Sequence, residues 1–481
     1  MSEDNFKAGA FYTDAFSLVN QYNETVDLRG LVINFQLFES IYKKFVTAEV
    51  SILDGMNLLK NFRFTGQEFI RISIKQRDVG GEPAPKEFAI DKTFRVYKVS
   101  NFQKPQESIG TYVLKLCDPR LFFCKRKRIS KVMRGSYDQM LQSVLLEEAH
   151  IKGEEFDQWT TTVPENSQFI VPNWTVGRFI DFAVNNSNHS PQAEWKNGMF
   201  FFQTLNGGFR FTSIDQMFQQ EFPLLFSYKP RSADIDTDSK DAQSEEGINT
   251  MIESYEKPQL FDTLKGTMGG AYASMLKVYD PVRKVEEDIV YDMAETFKRG
   301  KHLSGHPMLL LDEHERTLTT GNLIDQETDP VVNEIDIDLA PNKEFESMVL
   351  YEHDMNHSFD DADDISNNEI FSGLKVKDNA KLERRAMLET LQQHKIVVTI
   401  PLRTDLSVGN VIQLSLPGGE TGGADNPDSV NDDRYLITDL NVNGSPSDAA
   451  GICYIECVKE SYALPIKDAR PLSKVAPPQK V

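Results

Sequence analysis

The chain has 481 residues, 40% apolar and 10% aromatic, with 52 basic against 73 acidic side chains and a formal charge of −21. This length can bury several cores, roughly two to four domains, and the composition is globular rather than disordered. The acid excess argues against a surface that grips nucleic acid through its phosphates, and suits either plain solubility or a passage whose walls repel a like-charged polymer.

No apolar run approaches a membrane span, and Met1-Ser2-Glu3-Asp4 has no basic n-region or apolar h-region, so folding in a cytoplasm without membrane insertion is expected. Four cysteines in a chain this long do not make a disulfide framework. Cys453 and Cys457 stand four apart in an apparent strand, share a side, and read as buried free thiols.

Residues 1–117 read as antiparallel β. Val26 to Glu39 is expected as one long strand around Gly30, and Phe45 to Asp54 alternates with Val46, Ala48, Val50 and Ile52 on one face. Ile70, Ile72 and Ile74 share a face opposed by Arg71, Ser73 and Lys75; Lys86–Val99 and Gly110–Cys117 complete a set suited to a small barrel or sandwich. Residues 118–222 then read as an α+β domain. It starts with a basic run, Lys125, Arg126, Lys127, Arg128, Lys131 and Arg134, followed by a helix with Ser136 as N-cap and Tyr137, Met140, Leu141, Val144 and Leu145 as its apolar stripe. A second amphipathic helix carries Val176, Phe179, Ile180, Ala183 and Val184. After it, Gly198–Gln203, the turn Asn206-Gly207-Gly208 and Phe209-Arg210-Phe211 form a hairpin pattern.

Residues 223–311 read as a continuation and linker: an acidic loop over 231–247, then a hairpin from Tyr272–Tyr279 and Val285–Tyr291 around Asp280-Pro281. Residues 312–380 read as an acidic inserted lobe or long loops. A second β set is expected over 381–464: a helix from Leu382 to Gln393, strands at Lys395–Ile400, Val411–Leu414, Arg434–Leu440 and Gly451–Val458, and a turn at Gly409 where a positive φ suits glycine. Residues 465–481 read as an extended arm.

The N-terminal strand set through Ile74, the helix–hairpin unit with Phe222-Pro223-Leu224-Leu225 after it, and the C-terminal helix–strand–Val408-Gly409-Asn410-Val411-Ile412–strand arrangement with Tyr435-Leu436-Ile437 come in an order that resembles the central hub proteins of contractile, T-even-type phage tail baseplates. The resemblance implies a mainly β chain with two tube-like antiparallel β barrels, residues 1–117 and 381–464, flanking an α+β domain. It implies a homotrimer whose paired barrels offer six near-equivalent sites, joining a hexameric tail tube protein to a trimeric spike protein and leaving a channel for passing DNA without specific binding. Baseplate wedge or tape-measure proteins would be further neighbours. The location implied is the virion tail baseplate, assembled in the host cytoplasm. The basic run from Lys125 to Arg134 is then a candidate partner-docking segment. Pro465, Ile466, Pro471, Leu472 and Val475 form a candidate spike-contact arm. A hub or spike component of a bacterial contractile injection system is the alternative within this class, and a cell-wall glycan hydrolase the alternative outside it.

Metal and catalytic constellations are weak. His302 and His306 have helical spacing, but Gly300, Gly305 and Pro307 break the helix, and His314 adds no HExxH glutamate. His353 and His357 around Asp354 suffer the same break, and the run Asp360–Asp364 fails the sixth-position glycine and twelfth-position glutamate of an EF-hand. There is no nucleophile elbow, P-loop or kinase set. The expectation is a non-enzyme with no cofactor and no metal.

Overall fold

The computed structural model describes residues 8–62, 64–77, 89–106, 109–163, 167–189, 198–220, 224–228, 250–280, 284–308, 345–353, 380–416, 433–447 and 450–463. The chain is mainly β, and its largest sheet runs through both ends of the sequence.

The N-terminal strands are β1 (Phe11–Val19), β2 (Thr25–Asp27), β3 (Val32–Ser40), β4 (Thr47–Asp54), β5 (Phe69–Gln76), β6 (Ile90–Gln106) and β7 (Ile109–Cys117). They pair antiparallel in the order β2-β1-β5-β6-β7-β4-β3. Period-2 patterning drives this: Ala48, Val50 and Ile52 of β4 and Ile70, Ile72 and Ile74 of β5 are buried together. The single strand expected over Val26–Glu39 is two. Leu28 is buried, and its carbonyl accepts the N–H groups of Leu31 (2.8 Å) and Val32 (3.0 Å), a turn that separates β2 from β3.

Next come α1 (Arg120–Arg126), β8 (Val132–Gly135), α2 (Tyr137–Glu148), β9 (Phe156–Trp159), β10 (Ser167–Ile170), α3 (Val176–Asn186), β11 (Met199–Gln203), β12 (Phe209–Ser213) and α4 (Ile214–Phe218). Helices α2 and α3 bury their apolar stripes against Phe201, Phe209 and Phe211 in a second core. Ser136 occupies the N-cap position of α2 without a side-chain cap bond, whereas the Thr175 hydroxyl accepts the Arg178 N–H at the start of α3. Helix α1 and the β8–β10 ribbon were not expected from the sequence.

The remaining elements are β13 (Leu224–Tyr228), β14 (Met251–Ile252), β15 (Ser254–Gln259), α5 (Thr263–Gly269), β16 (Ala273–Asp280), β17 (Val285–Asp292), α6 (Met293–Phe297), β18 (Val349–His353), α7 (Ala380–Leu391), β19 (His394–Pro401), β20 (Val411–Ser415), β21 (Asp433–Ser445) and β22 (Ala450–Lys459). Residues 223–311 therefore do more than link: β13, β14 and β15 are strands of the C-terminal sheet. Pairing runs β20–β21–β22–β19–β15 on one side of β20 and β20–β13–β14 on the other, and β14 passes into β15 along the chain. Strands β16, β17 and β18 form a separate small sheet that packs Leu276 and Val278 against Leu382 and Ala386 of α7. Residues 345–353 of the expected acidic lobe supply β18; the rest of that lobe, the 231–247 loop and the arm with Pro465, Ile466, Pro471, Leu472 and Val475 lie outside the described residues.

The two ends of the chain are fused. Strand β21 pairs with β22 on one edge, while its other edge pairs with β20 and then with β3, from Asp439↔Ser40 to Gly444↔Phe35. At the far side of this hairpin Ala10 bridges Ala450, and the Gly451 N–H donates to the Gly9 carbonyl at 3.0 Å. One core cluster accordingly holds Phe16, Phe35 and Ile72 together with Tyr435, Ile455 and Cys457. Among the described residues no helix is long and apolar enough to cross a membrane.

Candidate functional site at a module junction

A concentration of buried polar groups lies where the N-terminal sheet, the β11–β12 hairpin and the C-terminal sheet meet. Glu39, near the end of β3, is 2% exposed. Its Oε2 accepts the Leu205 N–H at 3.0 Å and its Oε1 accepts the Val408 N–H at 2.9 Å. Burial pushes the carboxyl up to about 7, against the opposing pull of the two N–H donors and of the Arg210 and Lys92 charges. One side chain thus ties three modules.

The Asn206-Gly207-Gly208 turn carries further ties. Asn206 Nδ2 donates to the Thr404 carbonyl at 3.2 Å, and the Ser407 hydroxyl donates to Asn206 Oδ1. Lys92 Nζ donates to the Gly207 carbonyl, and the Gly208 N–H donates to Asp157 Oδ2 at 2.7 Å. Arg210 reaches Asn410 Oδ1 at 3.2 Å. Gln203 accepts the Val46 N–H at 3.1 Å and donates to Asp118 at 2.7 Å.

Gly409 closes this junction from the C-terminal side. Its φ is +81°, its N–H donates to the Ile437 carbonyl at 2.9 Å, and a Cβ there would stand 2.9 Å from Phe202 Cζ and 3.1 Å from Met217 Sδ. The glycine answers both a left-handed backbone and a close approach of the α+β module.

Beside the junction is an open cleft of about 490 Å³ lined in part by Asp91, Lys92, Asp118, Arg120, His150 and Glu155. Its acids are paired, Asp118 and Glu155 with Arg120 (3.2 Å to Asp118) and Asp91 with Arg71 (2.7 Å), while Lys92 donates to the Gly207 carbonyl. Glu39 has both carboxylate oxygens held by backbone N–H groups inside the protein, which makes it a tie rather than a proton donor to a ligand.

The basic segment is split by the fold. Lys125 and Arg126 end α1, Arg128 lies in the short strand Arg128–Ile129, and Arg134 lies in β8. Lys127 meets Glu148 at 3.7 Å and Lys131 meets Glu147 at 2.7 Å. Arg126 lies over the Phe123 ring, and Arg128 donates to the Asn173 carbonyl at 3.1 Å.

Among the described residues, His302 and His306 have separate partners. His302 stacks on Phe297 with its ring nitrogens toward Glu460 Oε2 (3.1 Å) and the Phe297 carbonyl (2.8 Å), while His306 sits in a two-residue ladder opposite Tyr462. His314, His357 and Asp360–Asp364 lie outside the described residues. Among the described residues no group of three or more His, Cys, Asp or Glu side chains could hold a metal. Cys117, Cys124, Cys453 and Cys457 are buried and free, and burial raises all four thiols, that of Cys453 to about 12.

The Asn-Gly-Gly turn and Gly409 are legible in the sequence; Glu39, which holds the residues just before each of them, Leu205 and Val408, is not. A glutamate ending an apolar strand is a usable signal only when its partners are known, and these lie 166 and 369 residues away.

No protein-family model matches the chain, and no curated protein sequence matches it significantly. Solved structures do align with it. A tail protein from Neisseria meningitidis MC58 is 11% identical over 94% of this chain and 97% of its own, with a TM-score of 0.47. The 43 kDa tail protein of prophage MuSo2 from Shewanella oneidensis is 10% identical over 93% and 98%, with a TM-score of 0.45. An E. coli component of the type VI secretion system is 7% identical over 94% and 78%, with a TM-score of 0.37.

Proposed function

We propose that this chain is a structural hub of a contractile tail, a non-enzymatic ring subunit that joins a tail tube to a spike. The observation that carries the reading is the fusion of β modules from the two ends of the chain through the β3–β21 ladder, with the α+β module bolted onto the seam by Glu39 and the Asn206-Gly207-Gly208 turn. In this reading the two modules are the tube-like barrels expected from the sequence. Three chains would then offer six similar sites to a hexameric tube while keeping threefold symmetry for a trimeric spike, and the channel would pass DNA. The ion-paired acids of the cleft fit a scaffold better than glycan hydrolysis, which needs a carboxyl kept protonated beside its substrate.

Mass photometry of the purified chain, alone and with tube and spike proteins, tests the reading. The expected result is a trimer that binds both. A chain that stays monomeric at every concentration and shifts with neither partner overturns it.

A further inference from the structure

We infer that the cationic ribbon around Arg126 and Arg128 docks on the open face of the β16–β17–β18 sheet of a second copy of this chain. This rests on the ring reading above and assigns its subunit contact. Residues 125–134 contain six cations and no acid in a chain whose net charge is −21. Lys127 and Lys131 are engaged by Glu148 and Glu147, whereas Arg126 lies over the Phe123 ring, Arg128 donates to a backbone carbonyl, and neither these two nor Lys125 forms an ion pair with an acid among the described residues. Next to them Val132 of β8 and Ile170 of β10 stand directly opposite each other in register, 50% and 68% exposed. The surface is therefore two arginines and a lysine around an aliphatic pair.

The small sheet presents the complement. Its inner face buries Leu276 and Val278 under α7. Its outer face carries Tyr279 opposite Glu286, Lys277 opposite Asp288 and Met275 opposite Val290, with Tyr351 of β18 opposite Lys277 on the other edge. Tyr279, Val290 and Tyr351 are 42%, 47% and 75% exposed. Glu286 and Asp288 share one cation, Lys277, at 3.7 and 3.2 Å, leaving the face with surplus negative charge. Guanidinium planes favour both carboxylates and tyrosine faces, and the aliphatic pair suits Val290 and Met275. Because the two surfaces differ, the contact is head-to-tail, the kind that closes rings. On chains that repel one another overall, a local match of opposite charge sets which faces meet.

The test uses the full-length chain in sedimentation velocity, with circular dichroism as the folding control. Arg126→Glu with Arg128→Glu, or Glu286→Lys with Asp288→Lys, should each raise the concentration for half-assembly by about tenfold or more. The quadruple variant, with both faces reversed, should recover assembly. Ile170→Cys with Val290→Cys should give oxidised ladders ending at the closed ring on a non-reducing gel. Trimers that ignore both double variants overturn this contact while leaving the hub reading standing, as do folded quadruple variants that stay dissociated. Retention of a fluorescent DNA duplex that R126E/R128E abolishes, with assembly unchanged, also overturns it. A wild-type chain that never assembles overturns the contact and the hub reading together.

Discussion

Glu39 is a carboxyl placed where water cannot hold its charge, and two backbone N–H groups from distant modules only partly replace that water. The consequence for pH has a definite sign. The ordinary value is 4.5 and the folded value about 7, so between them the native state keeps a proton that the unfolded chain releases. Stability from this group is fully present below 4.5, falls as pH rises toward about 7, and is level above that. Urea unfolding of wild type and Glu39→Gln at a series of pH values should show the variant lacking this component; parallel profiles would refute it. Gly409→Ala should cost roughly 1–3 kcal/mol, through overpacking against Phe202 and Met217 added to a left-handed backbone. A urea midpoint equal to that of wild type would contradict this. At this scale the sequence was half legible. Gly409 announced itself between two apolar strands, because a positive φ leaves a chemical trace. Glu39 left none, since a lone acid at a strand end is ordinary on any surface.

The elements that sequence reading found are those whose cause is local. Hairpin β11–β12 follows from aromatic alternation around Asn-Gly-Gly, and α3 from apolar residues three and four apart. Short α4 is held by a capping box: the Ser213 hydroxyl accepts the Gln216 N–H at 3.4 Å, and Gln216 Oε1 accepts the Ser213 N–H at 3.3 Å. Ser213→Ala should destabilise by about 1 kcal/mol. Hydrogen exchange should quicken first at the amides of α4, and unchanged protection there would count against the cap. The elements that were missed have distant causes. Strand β1 (Phe-Tyr-Thr-Asp-Ala-Phe-Ser-Leu-Val) mixes polar and apolar residues and is fixed by pairing with β5. Strands β13, β14 and β15 are short, and their places are set by β20 and β19, more than a hundred residues downstream. The break between β2 and β3 depends on the Leu28 carbonyl, which no periodicity reveals.

Across the whole molecule, composition told of a globular, acidic chain, and its mainly β character was legible. What was not legible is that the ends share one sheet and one core. That sharing makes a prediction. A fragment ending at Cys117 would expose the β3 edge and the side of Phe35 that faces Gly444, so it should fail to fold alone. In the intact chain, probes in the N-terminal and C-terminal sheets should lose structure at the same urea concentration. A Cys117-terminated fragment with dispersed amide resonances, or two separated transitions, would contradict the shared core.

Strand β21 has neighbours laddered along both edges, with β22 on one side and β20 and β3 on the other. A thrust delivered to one end of such a body is passed on in shear by many bonds loaded at once, not peeled apart one at a time. The polypeptide is mechanically stiff across this seam rather than hinged at it, because bending there would strain the ladders on both edges of β21 together.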